Sequence, residues 1–447
     1  MSRETIQLAE YVAALRYEDI PADVLSAAKN TIADGIGACV FGYRFPWSQA
    51  IMRYATRASG PGGKSTVLGP QAAPLHPPFA ALVNGALAHS FELDAGTQRG
   101  VGAHPFGTVF TAALPVAQDR GLSGKKLLTA FVAGSEAMLR IGKATGRSNE
   151  HRGFHAPGTT GPFGAAIACA LLLGLDADRL LNAIGIAGSL ASGLRQFSVS
   201  ETGSMVKRLH FGRAAEGGVL AAGLAEQGFD GPHDVLEGKA GFLKVFCDHY
   251  DAAELTRGLD GTTFLVREIA MKRFATHGSS QIPLQALQEI RAQHAFAADE
   301  IESIFIAASP EAVEHHDNPS PADLMQLQYS VPYCVAVACV RDARDPRSFD
   351  ESALTDPAIR AIVQRVRYEA GDISDKRTYE MTVTLKSGAV YRGMFPDADV
   401  PWRPASRDEA YEKYSILMRD CPRAQTDDLF ERIQTLEDQS GLGWLKI

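Results

Sequence analysis

Along the first 265 residues, apolar side chains recur at spacings of three and four rather than two, the signature of helices that bury one face. After Pro21, the positions Val24, Ala27, Ala28, Ile32, Ile36 and Val40 form one stripe, so a helix is expected to start at Pro21-Ala-Asp. The same pattern predicts helices from Pro77 to His89, Gly107 to Asp119, Ser123 to Ile141, Gly161 to Leu173, Asp176 to Gly193 and Ala214 to Glu226. Gly35, Gly37 and Gly42 lie inside the first of these and cost helix propensity, for which close packing against a neighbour is the expected compensation. No alternating strands of the kind that build a parallel sheet interrupt the run. With no GxGxxG or Walker glycine pattern either, a dinucleotide- or nucleotide-binding α/β fold is excluded.

The pattern changes after about Thr262. Ile301-Glu-Ser-Ile-Phe-Ile-Ala-Ala alternates like a strand, and the runs Met381 to Leu385 and Val390 to Met394 read as a hairpin turning at Ser387-Gly388. Helices are expected between them, over Ser330 to Val340 and Asp356 to Val366. From Ser406 onward helical spacing returns, with a capping box in Ser406-Arg-Asp-Glu and a buried stripe of Tyr411, Tyr414 and Leu417. The fold class is therefore mainly α. A large all-helical domain is built from both chain ends, residues 1–265 and 397–447, around an inserted α+β domain, residues 266–396.

A chain of 447 residues, 45% hydrophobic and 21% charged, has ample material for such a core. Its formal net charge of -8 leaves no basic surplus for neutralising phosphates, which argues against a nucleic-acid partner. The six cysteines form no CxxC pair and sit mostly in apolar runs, as expected for reduced core residues of a cytoplasmic protein. Met1 to Thr5 lead directly into an amphipathic pattern without a signal-peptide core, and the longest apolar run, Ala165 to Leu173, is too short for a membrane span.

Four polar clusters stand in glycine-rich settings. His89 to Gly107 carries His89, Glu92, Asp94 and His104, joined by a connector with Gly96, Gly100 and Gly102 that can fold back and bring a carboxylate to His104. A carboxylate on one ring nitrogen fixes the tautomer of the other and raises its basicity, as a general acid or base needs; an ordinary surface loop would also fit. Gly153-Phe-His155-Ala-Pro-Gly158-Thr-Thr-Gly161 sets a histidine ahead of a loop entering a helix, where backbone N–H groups can hold a carboxylate. Lys207, Arg208, His210 and Arg213 concentrate cations beside Gly203 and Gly212, either for anion binding or as a solvated turn. Lys272-Arg-Phe-Ala-Thr-His277-Gly-Ser-Ser-Gln281 is the fourth, with a basic linker as its plain alternative.

Together these segments resemble the MmgE/PrpD family along nearly the whole chain. His89 to Asp94 with His104-Pro105-Phe106-Gly107 is similar to its His-x-x-Asp-Phe-Asp-Asp run and following His-Pro-Gly turn. Gly153 to Gly161 resembles its Gly-x-His segment. Lys207-Arg-Leu-His-Phe-Gly-Arg-Ala-Ala215 resembles Lys-Pro-Leu-His-x-Gly-x-Ala-Ala, Lys272 to His277 resembles Lys-Arg-Phe-Pro-x-His, and Gln328-Tyr-Ser-Val-Pro-Tyr333 resembles a Phe-Ser-x-x-Tyr helix start. Departures are Glu92 for Asp, Ala95 for the last Asp, a longer connector to His104, Phe106 for a small residue and Gln281 for a second histidine.

The resemblance implies a helical domain with an α+β lid, a homodimer, a site in the cleft between the domains, and neither an organic cofactor nor an essential metal. It further implies that Lys207, Lys272 and His277, with Arg208 and Gln281, bind the carboxylates of a small di- or tricarboxylate such as 2-methylcitrate or cis-aconitate. His104, oriented by Glu92 or Asp94, would move the proton, and His155 or Tyr333 would act from the other side. Cations beside the developing anion make such a proton acidic enough to move. The implied activity is a lyase, either dehydratase or decarboxylase. Epimerisation of an amino or imino dicarboxylate such as iminodisuccinate is the alternative, and a non-catalytic carboxylate-binding homologue a third reading.

Overall fold

The computed structural model describes residues 3–97, 101–198, 200, 204–373, 378–396 and 403–447. Two compact units divide the chain, one formed by Met1–Gln196, Met205–Met271 and Arg403–Ile447, the other by Phe197–Ser204 with Lys272–Trp402.

The first unit is helical. Its long helices include Ala22–Gly42, Pro77–Ala88, Gly124–Thr145, Ala156–Leu172 and Val206–Glu226. Nearly every residue of Ala156–Leu172 is buried, so this helix lies inside the bundle and shows no polar face. Such packing needs close backbones. An added Cβ at Gly212 would sit 2.2 Å from the Leu82 carbonyl oxygen, and one at Gly218 would sit 2.2 Å from the Ala165 Cβ. Gly35 answers the same need differently: a Cβ there would lie 2.2 Å from Cγ of Phe106, so the bare glycine makes room for the phenylalanine. Among the described residues no helix is long and apolar enough to cross a membrane.

Two helices start earlier than expected, for one reason. The helix expected from Gly161 starts at Ala156, with Pro157 in its first turn, and the one expected from Ala214 starts at Val206. Glycines that read as loop punctuation at Gly158, Gly161 and Gly212 are instead close-approach positions; at Gly158 a Cβ would stand 2.3 Å from the Ser192 carbonyl oxygen. The basic segment around Lys207 is thus the first turns of a helix rather than a solvated turn. The expected Gly107 helix opens as a π turn, Phe106–Phe110, before becoming α over Thr111–Asp119. The C-terminal return carries the expected capping box, Ser406 with Glu409, at the start of Arg407–Leu417; Tyr414 and Leu417 are buried and Tyr411 half-buried.

The second unit holds a four-stranded sheet in the order β2-β1-β3-β4, with β1 Ile301–Ala308, β2 Val366–Ala370, β3 Tyr379–Leu385 and β4 Val390–Phe395. β3 and β4 form the hairpin, turning at Gly388 with φ of 87°. β1 pairs antiparallel with β3 and parallel with β2. β2 was not expected. Only Tyr368 of this edge strand is buried, so it lacks an apolar alternation, and the helix expected to reach Val366 ends at Val363. The six cysteines are free thiols; all are buried except Cys421, which is half-buried.

Candidate active site

The site is built where helix Pro77–Ala88 stops. His89 caps its C-terminus, and the chain turns through Glu92, a non-glycine residue held at φ of 57°. That left-handed conformation is uncommon for a glutamate and marks a position the surroundings impose. Two backbone hydrogen bonds between Gly96 and Ala270, 3.0 and 2.9 Å, anchor the segment from the far side.

Asp94 is fully buried between two imidazoles. Its Oδ1 is 3.1 Å from Nδ1 of His89 and its Oδ2 is 2.5 Å from Nδ1 of His104. The Ala95 carbonyl is also 3.2 Å from that His104 nitrogen. Acceptors on the Nδ1 side require both rings to carry their proton there, which leaves Nε2 of each as the basic nitrogen. His89 stacks on Phe211, ring centroids 3.6 Å apart, and lies 5.6 Å from the His155 ring. Burial pushes His89 down to about 3, against the opposing pull of Asp94, with Lys207 adding to the depression. Its Nε2 is buried with no hydrogen-bond partner among the described residues, and the same holds for the Thr97 hydroxyl.

His155, at the start of Ala156–Leu172, and His210, on Val206–Glu226, meet nitrogen to nitrogen, Nδ1 to Nδ1 at 2.9 Å. Both are buried. His155 is held well below the ordinary histidine range by burial first, then by His89 and Lys207; His210 is pushed down to about 4 by burial and Lys207. All three rings are therefore neutral near pH 7. The cations are buried too: Lys207 pairs with Glu92 Oε1, and Nη1 of Arg208 lies 2.8 Å from the same oxygen and donates to the His89 carbonyl at 3.0 Å. The carboxylate whose orienting role was open is thus divided by geometry. Asp94 contacts His104, while Glu92 holds Lys207 and Arg208.

In the second unit, Lys272 is buried and His277 caps Gly278–Gln293, its ring stacked on Tyr329 at 4.4 Å and on His316 at 4.6 Å. Gln281 uses its amide on backbone: Oε1 accepts from Arg273 and Phe274, at 3.0 and 3.3 Å, and Nε2 donates to the Phe274 carbonyl at 3.0 Å. Tyr333 has one hydroxyl proton, and its Oη faces the carbonyls of Ala353 and Leu354 at 3.0 and 3.1 Å. Both side chains hydrogen-bond to their own unit's backbone.

Three polar residues here had no assigned part in the sequence: His89 was visible in the first cluster, Thr97 gave no signal, and His210 stood in a segment left open between anion binding and a solvated turn. Read as a helix, Lys207 and His210 are three apart and share a face.

In this mainly helical chain three buried histidines, the half-buried His104, two buried carboxylates and two buried cations gather around one helix terminus, an arrangement of groups able to hold and pass protons. The chain belongs to the MmgE/PrpD family: the family's N-terminal domain matches residues 6–255 and its C-terminal domain residues 274–439. Curated relatives include a cis-aconitate decarboxylase of Aspergillus terreus, 33% identical over 302 residues, which are 65% of this chain and 60% of the relative. A second from Aspergillus terreus (strain NIH 2624 / FGSC A1156) is 31% identical over 356 residues, 75% of this chain and 71% of the relative. The human cis-aconitate decarboxylase is 27% identical over 432 residues, 93% and 88% of the two chains.

Proposed function

We propose that this protein is a cofactor-independent lyase that decarboxylates a small unsaturated polycarboxylate, with cis-aconitate the first candidate. The supporting observation is Asp94 set between His89 and His104, with the neutral His155 beside them. A carboxylate one carbon removed from a double bond leaves as carbon dioxide when the C–C electron pair can move into the double bond. The resulting allylic anion, conjugated with a second carboxylate, takes one proton at carbon. Lys207, buried beside Glu92 and the histidines, is proposed to stabilise the anionic substrate. Lys272 and His277 are proposed to bind further carboxylate, and His104 and His155 to move the proton. Names of relatives favour decarboxylation over the dehydration and epimerisation that the same imidazoles could serve.

The test is incubation in D₂O with cis-aconitate, 2-methylcitrate, citrate and iminodisuccinate, followed by proton NMR and carbon dioxide release. Carbon dioxide from cis-aconitate, with a single deuteron on the product carbon, is expected. Water loss from a hydroxy acid, or hydrogen exchange in iminodisuccinate without net turnover, would move the chain to another branch.

A further inference from the structure

His104 and His155 face opposite constraints at Nδ1. Two acceptors surround Nδ1 of His104, Asp94 Oδ2 at 2.5 Å and the Ala95 carbonyl at 3.2 Å. The partner of His155 Nδ1 is another Nδ1, that of His210, at 2.9 Å. A nitrogen-to-nitrogen hydrogen bond holds one proton: one ring donates and the other accepts, and a neutral acceptor must then carry its own proton on Nε2. His210 therefore decides whether His155 is an acid or a base.

We propose that His210 is a positioning residue that donates its Nδ1–H to His155, so that His155 carries its proton on Nε2 as the acid opposite the basic Nε2 of His104. This rests on the decarboxylase reading, in which each turnover places one proton on carbon and so needs one ring with its proton outward. The step balances. As Nε2 of His155 gives its proton to the allylic anion, the shared proton passes to Nδ1 of His155 and His210 takes one at Nε2 from a water, leaving hydroxide in solution, so each turnover consumes one solvent proton; exchange with water then restores both tautomers. The fold holds this pair deliberately in place. Gly193, at φ of 117°, accepts from the His155 backbone N–H at 3.0 Å through its carbonyl, and a Cβ on it would sit 3.3 Å from Nδ1 of His210. Groups that bear on the two rings electrostatically include His89, His104 and Lys207, and Lys207 shares the helix of His210. With a cation so near, a doubly protonated ring is disfavoured and the tautomer, rather than a positive charge, carries the acid.

Nitrogen-15 NMR of the histidine-labelled wild-type protein reads the proposal without substrate. The expected spectrum has His155 protonated at Nε2 and bare at Nδ1, His210 protonated at Nδ1, and a coupling across the shared bond. His155 protonated at Nδ1 overturns the proposal, whatever the reaction turns out to be. In turnover of cis-aconitate, His210→Leu should lower kcat by about a hundredfold with KM little changed. His210→Asn, whose amide N–H can reach the same position, should recover much of the loss and restore the wild-type pH profile. A leucine variant with wild-type kcat sinks the proposal, as does an asparagine variant no better than leucine. Absence of decarboxylation by the wild type bears on the proposed function instead and leaves the NMR result standing.

Discussion

Lys413 donates to the carbonyl of Leu93 at 2.7 Å while its Nζ lies 2.7 Å from Oδ1 of Asp34, so a residue of helix Arg407–Leu417 grips the backbone immediately before Asp94. All of these groups are buried. Lys413→Met should cost about 3–5 kcal/mol, because Asp34 loses its cation inside the protein. Adding Asp34→Asn should recover much of that stability but not the grip on Leu93. The double variant is therefore expected to fold and to turn over up to about a hundredfold more slowly, as Asp94 drifts from His104. Denaturation midpoints and kcat measure the two effects separately; full kcat in the double variant would show that the grip does not matter.

Asp94→Asn removes the anion between two imidazoles while keeping its size. An amide can offer its N–H to Nδ1 of either ring, which permits the wrong tautomer. The expected outcome is a kcat lower by about a hundredfold to ten-thousandfold with an unchanged circular dichroism spectrum. Near-normal turnover would remove His104 and Asp94 from the mechanism together.

Glu92 neutralises two buried cations from a left-handed backbone position. Glu92→Gln should destabilise the protein by about 3–5 kcal/mol by removing the buried anion that Lys207 and Arg208 share. Lys207→Met on top of it should raise the melting temperature again. If the single variant melts with the wild type, the ion pairs carry no net stability.

Gly35→Ala drives a methyl group into the ring of Phe106, which is fully buried and stacked on Phe110 at 5.1 Å. Overpacking of this kind costs about 1–3 kcal/mol. Phe106→Leu in the same chain should absorb the methyl group, so the two changes together should cost less than their sum in a urea titration. Strict additivity would mean the two residues do not compete for space.

Stability should fall on mild acidification. His89, His155 and His210 have folded values below the unfolded value of about 6.5, so their contribution is complete above that pH and is lost below it, where the unfolded chain binds protons that the folded chain refuses. Between pH 7.5 and 5.5 His89 and His210, held at about 3 and about 4, each contribute a loss of about 1.4 kcal/mol, and His155 adds to it in the same direction. Urea midpoints across that range measure it, and His89→Gln should flatten the slope. A stability that holds or rises toward pH 5.5 contradicts the buried neutral rings.

The sequence by itself determined the helical first unit, the β3–β4 hairpin, the capping box at Ser406 and the histidines and lysines worth watching, because spacing along the chain records which face of an element meets the core. It carries no record of which neighbour waits there. The grip of Lys413 on Leu93 spans 320 positions, and the pair of Lys207 with Glu92 spans 115. Only the packed helices decided that Asp94 rather than Glu92 stands at His104, that Gln281 and Tyr333 serve their own backbone, and that glycines near His155 and Lys207 are contact points inside helices. The edge strand β2 was equally hidden, since a strand with one buried side chain writes no alternation into its residues. Partner choice belongs to the tertiary structure because burial makes an unpaired charge or imidazole costly, and the fold alone settles which group answers it.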